Sequence, residues 1–248
     1  DIAKKFLDHK KDVFIEKPIT NTVEEASSLI SLAKENGCII QVGHIERFNP
    51  AVLKLKELID QDKIGKITSL ISKRVGVFPA QIKDANVIVD LAVHDIDIFS
   101  YLLGKQPDGI YGNAGRALIE GREDYAEIFL TYGDQNGFMQ VNWITPIRIR
   151  QLAVTGTKGY LELNYMTQEL VMHESNYSRD FDTFGDYIIK FGSPTTHEIS
   201  LDKQEPLKNE LMHFVSCVQD RQTPLVTGEQ GRRALATALE VMQKMNIL

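Results

Sequence analysis

The sequence has few of the features that mark disulfide-rich, membrane-spanning or metal-binding proteins. Its 248 residues include two cysteines, Cys38 and Cys217, which are far apart and have no Cys-x-x-Cys spacing. The sequence therefore predicts no disulfide scaffold and no metal site, and both cysteines are expected to be buried as small hydrophobic residues. No apolar run reaches the roughly 18 residues of a membrane-spanning helix, and the first residues lack the apolar core of a signal peptide. We therefore expect a cytoplasmic protein.

Positive charge and nucleotide-binding glycine motifs are also scarce. The formal net charge is -6 and the sequence pI is near 5.6, which argues against general binding to nucleic acids or anionic membranes. No Gly-x-Gly-x-x-Gly motif follows a predicted strand, so the chain by itself has no phosphate cradle. The P-loop, Gly-x-Ser-x-Gly and His-Glu-x-x-His motifs are absent too, which disfavours the commonest kinase and hydrolase classes.

The first fifty residues alternate between helical and strand patterns. We predict the end of a helix over residues 2–10, a strand over 12–16, a helix from Thr20 to Gly37 and a strand over 38–43. This α-β-α-β order is typical of a parallel sheet covered by helices. It resembles the second half of a doubly wound domain.

A different pattern begins at Pro50 and predicts a largely antiparallel sheet with flanking helices. Its elements are a helix over 50–59, a strand over 67–76, a helix over 87–103, strands over 109–118, 125–132, 137–145, 149–155 and 159–163, and helices that open at Pro206 and Gly228. Residues 174–194 have no clear period and are predicted to form a long loop that borders a ligand. We divide the chain into residues 1–48, 49–230 and a C-terminal helix over 231–248.

Glu16-Lys17-Pro18 places a lysine at the carboxyl end of a predicted parallel strand. Open α/β sheets bind their ligands at this edge. A partly desolvated lysine there would have a lowered pKa and could exchange a proton with a substrate hydroxyl. The alternative is a solvated surface lysine, because lysines at strand ends are common.

A second candidate group lies in the predicted helix over 87–103. Offsets of four and three place Asp90, His94 and Asp97 on one helical face. A carboxylate one turn away can orient the histidine and stabilise its protonated form, as a general base requires. One histidine with two aspartates is a poor transition-metal signature, and the alternative is a buried structural histidine.

The segment from Gly43 to Pro50 follows the second predicted strand and contains His44, Arg47 and Asn49. These polar side chains could orient a polyol or a sugar at the same sheet edge as Lys17. The equally supported alternative is an interdomain hinge, in which Arg47 pairs with an acid and Asn-Pro forms a turn.

The three segments together resemble one enzyme family. They span Val13–Pro18, Val42–Pro50 and Asp90–Asp97, and a β-rich region with Trp143-Ile-Thr-Pro146 follows them. In this order they resemble the glucose-fructose oxidoreductase/inositol dehydrogenase/MocA (Gfo/Idh/MocA) family of NAD(P)-dependent oxidoreductases over essentially the whole chain. The resemblance implies an α/β plus α+β fold. In this fold the C-terminal half of a Rossmann-type parallel sheet is followed by a largely antiparallel open-sheet domain with flanking helices.

The resemblance also implies roles for individual residues. It gives catalytic roles to Lys17, Asp90 and His94. It implies cofactor contacts for Glu16, Lys17, Pro18, His44 and Arg47. It implies substrate contacts for Lys17, Arg47, Asn49, Asp90 and His94. The cofactor is expected to be NAD or NADP, and the family often has the Lys-Pro bond in cis, which would turn the lysine inward.

The implied reaction is hydride transfer between a sugar or nucleotide-sugar hydroxyl and nicotinamide. The segments Arg74–Pro79 and Asp84–Asp97 most resemble the UDP-N-acetylglucosamine 3-dehydrogenase subgroup, which would make C3 of that sugar the reacting carbon. A catalytically inactive dinucleotide or sugar sensor of the same fold is the alternative, and the presence of both Lys17 and His94 argues against it. A fragment or interaction domain without its own activity is a third possibility.

The resemblance also implies a preceding segment and an oligomeric state. A βαβαβ unit of on the order of a hundred residues would precede Asp1 and would carry the residue that selects NAD or NADP. A homodimer or homotetramer is expected through the open sheet, with no nucleic-acid or membrane partner.

Overall fold

A computed structural model of the protein describes residues 2–78 and 85–247. Its N-terminal part is a parallel pair of strands with helices, as the sequence predicts. The elements are α1 (Ile2–Asp8), β1 (Val13–Glu16), α2 (Val23–Glu35) and β2 (Ile40–Gly43). The two strands are in parallel register from Val13 opposite Ile40 to Glu16 opposite Gly43, so their carboxyl ends meet at one edge.

The larger part is an eight-stranded sheet in the order β12-β9-β8-β7-β3-β6-β5-β4. Its strands are β3 (Ile67–Val77), β4 (Gly109–Gly115), β5 (Tyr125–Tyr132), β6 (Gln135–Asn142), β7 (Ile144–Gly156), β8 (Gly159–Asn164), β9 (Glu169–Glu174) and β12 (Thr195–Glu198). Every neighbouring pair is antiparallel except β3 and β6. The prediction of a largely antiparallel sheet is confirmed.

Four further helices cover the sheets. They are α3 (Pro50–Asp60), α4 (Val93–Leu103), α5 (Pro206–Asp220) and α6 (Gly228–Lys244). A 3-10 turn, Ile45–Phe48, leads into α3, and a π-helical turn, Ile88–Ala92, leads into α4. Among the described residues, no helix is long and apolar enough to cross a bilayer.

The hydrophobic core has two clusters, and α6 contributes to both. One cluster surrounds β1 and β2 and includes Val42 and Leu235, whereas the other fills the space beneath the large sheet and includes Ala238 and Val241. Gly231 allows α6 to approach β2 closely, because a Cβ atom there would lie 2.6 Å from Val42 Cγ2. The domain boundaries after residues 48 and 230 stay a prediction.

Three sequence-based expectations need correction. Residues 174–194 do not form a long loop, because most of them form the antiparallel hairpin of β10 (Tyr177–Phe181) and β11 (Tyr187–Phe191). The hairpin was missed because its strands are almost entirely exposed and so have no buried face to impose an alternating pattern. Of the two cysteines, Cys217 is buried but Cys38 is only partly so. The predicted helix over 87–103 opens with the π-helical turn.

Candidate active site

Lys17 lies at the carboxyl end of β1 and reaches the start of the α4 region. Its ammonium group donates to the backbone oxygen of Asp90 at 2.7 Å and lies 3.3 Å from Asp90 Oδ1. The Lys17–Pro18 peptide bond is cis. The side chains of Lys17 and Asp90 are 17% and 19% exposed, so this ion pair is largely buried and does not lie on the open surface.

Burial lowers the pKa of Lys17 below its ordinary value, although the carboxylate of Asp90 opposes this effect. The two hydrogen bonds to Asp90 use two of the three ammonium hydrogens and leave one for a ligand. Lys17 is therefore a partly desolvated, fixed cation with a free donor, and the solvated-surface alternative does not describe it.

His94 lies near Lys17, in the first turn of α4. Burial and the nearby positive charges of Lys17 and Arg74 hold the pKa of His94 well below its ordinary value. Its Nδ1 atom is buried and has no hydrogen-bond partner among the described residues. The imidazole is therefore neutral at pH 7 and able to accept a proton.

No hydrogen bond or ion pair joins His94 to Asp90 or Asp97 among the described residues. Asp90 binds Lys17, and Asp97 binds Arg47 through two hydrogen bonds of 2.7 and 2.6 Å. The π-helical turn explains part of the difference, because its hydrogen bond from Val93 N to Ile88 O spans five residues and changes the angular offset between Asp90 and His94. Neighbouring cations, and not neighbouring acids, thus dominate the electrostatics of His94.

Arg47 has the structural role that the sequence left open. Its guanidinium group is 3% exposed, pairs with Asp97, donates to Leu225 O at 3.3 Å and lies over the ring of Tyr101 at 4.7 Å. It thereby ties the 3-10 turn to α4 and to the segment before α6. The geometry does not support the predicted cofactor and substrate contacts of Arg47.

Asn49 is structural for the same reason. The side chain is 1% exposed. Its Oδ1 atom accepts from Ala51 N at 3.0 Å, which caps α3, and its Nδ2 atom donates to Tyr165 O at 3.0 Å. Both polar atoms are used, so the predicted substrate contact of Asn49 is not supported.

His44 and Glu16 remain at the edge where β1 and β2 end. His44 Nδ1 is buried without a hydrogen-bond partner among the described residues and lies 3.8 Å from Asp97 Oδ2. Burial lowers the pKa of His44 even though Asp97 opposes this. The carboxylate of Glu16 lies across Gly43, where a Cβ atom would be 2.7 Å from Glu16 Oε2. Glu16 is exposed at this edge, whereas the His44 side chain is 2% exposed.

Two models of one protein family match the chain. Residues 1–44 match the NAD-binding Rossmann fold of the family, and residues 56–246 match its C-terminal alpha/beta domain. The chain belongs to the Gfo/Idh/MocA oxidoreductase family. This family membership confirms the resemblance that the three sequence segments carry.

Relatives within the Gfo/Idh/MocA family include enzymes named for different substrates. The chain is 30% identical over 242 residues to a scyllo-inositol 2-dehydrogenase (NAD(+)) of Bacillus subtilis, covering 92% of this chain and 66% of the relative. It is 27% identical over 230 residues to a UDP-N-acetylglucosamine 3-dehydrogenase of Acidithiobacillus ferrooxidans, covering 92% of this chain and 69% of the relative.

A solved structure of the UDP-N-acetylglucosamine 3-dehydrogenase of Acidithiobacillus ferrooxidans has the same fold. The TM-score is 0.84 at 23% identity, over 99% of this chain and 75% of the other. In these comparisons the chain spans between 66% and 75% of the length of the two relatives. The finer resemblance to this subgroup depends on the segments Arg74–Pro79 and Asp84–Asp97. Both segments lie partly outside the described residues.

Sequence reasoning missed a buried ion network beside the site of this Gfo/Idh/MocA chain. Arg74 on β3 pairs with Asp95 at 2.9 and 3.1 Å and with Glu46 at 2.7 Å. Its guanidinium group also lies 4.9 Å from the centre of the Tyr165 ring. The sequence did contain a signal for this network. Arg74 follows the buried Leu70 and Ser72 at every second position of the strand, so it faces inward as they do. Such a cation requires a buried acid as its partner.

Proposed function

We propose that the protein oxidises a hydroxyl group of a sugar or nucleotide sugar with NAD or NADP, with C3 of UDP-N-acetylglucosamine as the specific candidate. The observation that carries this proposal is a Lys17 ammonium at the carboxyl edge of the parallel strands that is fixed by Asp90, four residues before the neutral His94. Family membership supports the reaction class, and two relatives named as dehydrogenases support hydroxyl groups as the reacting groups.

The residues at this edge fit a nicotinamide cofactor. Lys17 keeps one ammonium hydrogen, and the buried Nδ1 of His44 has no hydrogen-bond partner among the described residues. Polar groups without protein partners at the carboxyl ends of parallel strands are suited to a bound dinucleotide. We propose that Glu16, Lys17, Pro18 and His44 hold the nicotinamide end. When bound there, the cofactor supplies the hydride acceptor.

The proton chemistry belongs to the chain itself. A sugar hydroxyl between Lys17 and His94 would donate its proton to His94, and because Nδ1 is buried, Nε2 is the nitrogen that receives it. The remaining hydrogen of Lys17 would stabilise the developing negative charge on the hydroxyl oxygen. Asp90 would fix the position of Lys17 through the two contacts at 2.7 and 3.3 Å.

Replacement of His94 tests this assignment. We expect His94→Asn to lower turnover by roughly a hundredfold or more, the usual contribution of a general base, with little effect on cofactor binding. The measurement is absorbance of reduced nicotinamide with NAD or NADP and a panel of UDP-N-acetylglucosamine, free sugars and polyols. His197→Asn, on β12 and 43% exposed, is a matched control that should keep full turnover.

Two outcomes would contradict the proposal. Unchanged turnover in His94→Asn would remove His94 from the mechanism. Cofactor binding without turnover on any member of the panel would favour the sensor alternative.

We also propose that the protein is cytoplasmic and forms a homodimer or homotetramer through the open face of the large sheet. Tyr111, Phe129, Phe138 and Ile71 occupy facing positions on four adjacent strands and are between 37% and 62% exposed. An apolar row of this kind is typical of an interface. Light scattering that gives a monomer at micromolar concentration would count against this use of the sheet.

A further inference from the structure

The side chains on the inward face of β7 are apolar within the core and cationic where the strand leaves the core. Val154 and Leu152 are buried in the core beneath the sheet, Arg150 is half-buried and Arg148 is exposed. Alternate residues of a strand share a face, so these four side chains form one row. Gly76 on β3 lies beside Arg148. A Cβ atom added to Gly76 would lie 3.6 to 3.8 Å from Arg148 Cα, Cβ and Cγ, so the Arg148 side chain starts on the same face of the sheet as this Cβ atom would.

The two arginines have no acidic partner among the residues that the structure describes. Arg150 faces Arg74 on β3, but Asp95 and Glu46 already pair with Arg74. Arg150 Nη1 donates to the backbone oxygens of Val75 at 2.6 Å and Ile149 at 2.9 Å. Within residues 2–78 and 85–247, no carboxylate forms an ion pair with Arg148 or Arg150.

The charge at these arginines is therefore only weakly compensated. Burial lowers the pKa of Arg150 to about 10, and the charges of Arg74 and Arg148 add to this effect, while Asp95 and Glu46 oppose it from a distance. A half-buried guanidinium group next to like charges is destabilising unless an anion reaches it. Charged groups with perturbed pKa values are often found at functional sites.

Arg150 also lies on the side of the proposed reaction centre. It is directly opposite Arg74 in the register of β3 and β7, and Arg74 bonds to Asp95, the residue that follows His94. Lys17 has Asp90 as its partner. Among the described residues, the positive charge near His94 that has no carboxylate partner therefore lies on β7.

We propose that Arg148 and Arg150 form a subsite for an oxyanion on the substrate, a phosphate or a carboxylate carried by the sugar whose hydroxyl reacts at His94. The proposal rests on the proposed function and narrows its substrate class to acidic sugars and sugar phosphates or nucleotide sugars. Guanidinium groups bind such oxyanions through two parallel hydrogen bonds, and two of them on one strand face give both affinity and orientation. Neutral polyols would leave both arginines without a partner.

Equilibrium binding by calorimetry on the full chain separates this subsite from the reaction. The probes are UDP-N-acetylglucosamine for a phosphate, glucuronate for a carboxylate, and N-acetylglucosamine and scyllo-inositol as neutral sugars. We expect the phosphate or the carboxylate probe to bind more tightly than the neutral sugars, and Arg148→Gln to weaken that probe about tenfold or more without changing the neutral ones. The stronger of the two anionic probes identifies the source of the oxyanion.

Arg148→Gln is the primary variant because the exposed Arg148 side chain makes no hydrogen bond within the described residues. Arg150→Lys, which keeps the charge, is the second and should weaken the anionic probe less than Arg150→Gln does. Arg179→Gln, on the exposed β10, is the matched control and should bind every probe as the parent does.

The outcomes distinguish the two proposals. The subsite is overturned if the anionic probes bind no more tightly than the neutral sugars, or if Arg148→Gln does not change their affinity. This holds whether or not the protein turns over any sugar. Arginine-dependent binding of an anion with no turnover of any sugar supports the subsite and overturns the proposed dehydrogenase.

Discussion

Replacement of Glu210 by glutamine should change how the stability of the protein depends on pH. Glu210 lies on α5 with 0% exposure, and neither of its carboxyl oxygens has a hydrogen-bond partner among the described residues. Burial and the negative charge of Glu16 raise the pKa of Glu210 to about 8. The folded protein therefore carries Glu210 as a neutral acid at pH 7, whereas the unfolded chain carries it as a carboxylate.

The sign of the effect follows from proton uptake. Below the ordinary pKa of 4.5, Glu210 is protonated in both the folded and the unfolded state and contributes no pH dependence. Between pH 4.5 and about 8 the folded state holds a proton that the unfolded state has released, so the free energy of unfolding falls as pH rises. At about 1.4 kcal/mol per unit, the loss over this interval is on the order of 4 kcal/mol.

Glutamine has nearly the same shape and no titrating proton, so Glu210→Gln should lack this loss. We expect urea unfolding at pH 5, 6.5 and 8, followed by circular dichroism, to show the variant gaining stability relative to the parent as pH rises. Glu198→Gln, on the exposed face of β12, is the matched control and should follow the parent at every pH. If the Glu210→Gln and parent stabilities ran parallel across this range, Glu210 would not be a buried neutral acid, and the reasoning would be refuted.

Two further predictions concern the ion pairs of the site. Asp97→Asn should lower the free energy of unfolding by about 3–5 kcal/mol, because it leaves Arg47 buried without its counter-charge. In the same urea experiment Asp60→Asn, which removes an exposed pair with Lys56, should change stability by less than about 1 kcal/mol, and equal effects would contradict the structural role of Arg47. Lys17→Met should raise the pKa of His94, because it removes a neighbouring positive charge. NMR titration of the histidine ring protons measures this, and an unchanged His94 pKa would mean that Lys17 does not act on the imidazole.

Local patterns in the sequence predict the main elements of the fold. Pro18 after a short β-branched run and the helix limits at Thr20 and Gly37 predict the first strand and helix, and the structure contains both. The position of Lys17 at a sheet edge follows directly, because it comes next after β1. The antiparallel sheet follows in the same way from alternating runs, since one face of each strand is buried.

Partner choice in the site could not be predicted, because it depends on residues far apart in the chain. Arg47 and Asp97 are fifty positions apart, and helical spacing alone directed Asp97 towards His94 instead. A π-helical turn changes that spacing and has no distinctive composition here. The exposed hairpin of β10 and β11 lacks a buried face, so its strands do not alternate between apolar and polar residues, which is the main signal of a strand in a single sequence.

The sharing of α6 between the two cores has a consequence for how the protein is made. Leu235 completes the cluster around β1 and β2, while Ala238 and Val241 complete the cluster beneath the large sheet. During translation neither cluster is complete until residues 228–244 have left the ribosome, although α3 and α4 can already cover part of the large sheet. A nascent chain that stalls before Gly228 should therefore expose apolar surface in both clusters, and not in one domain alone.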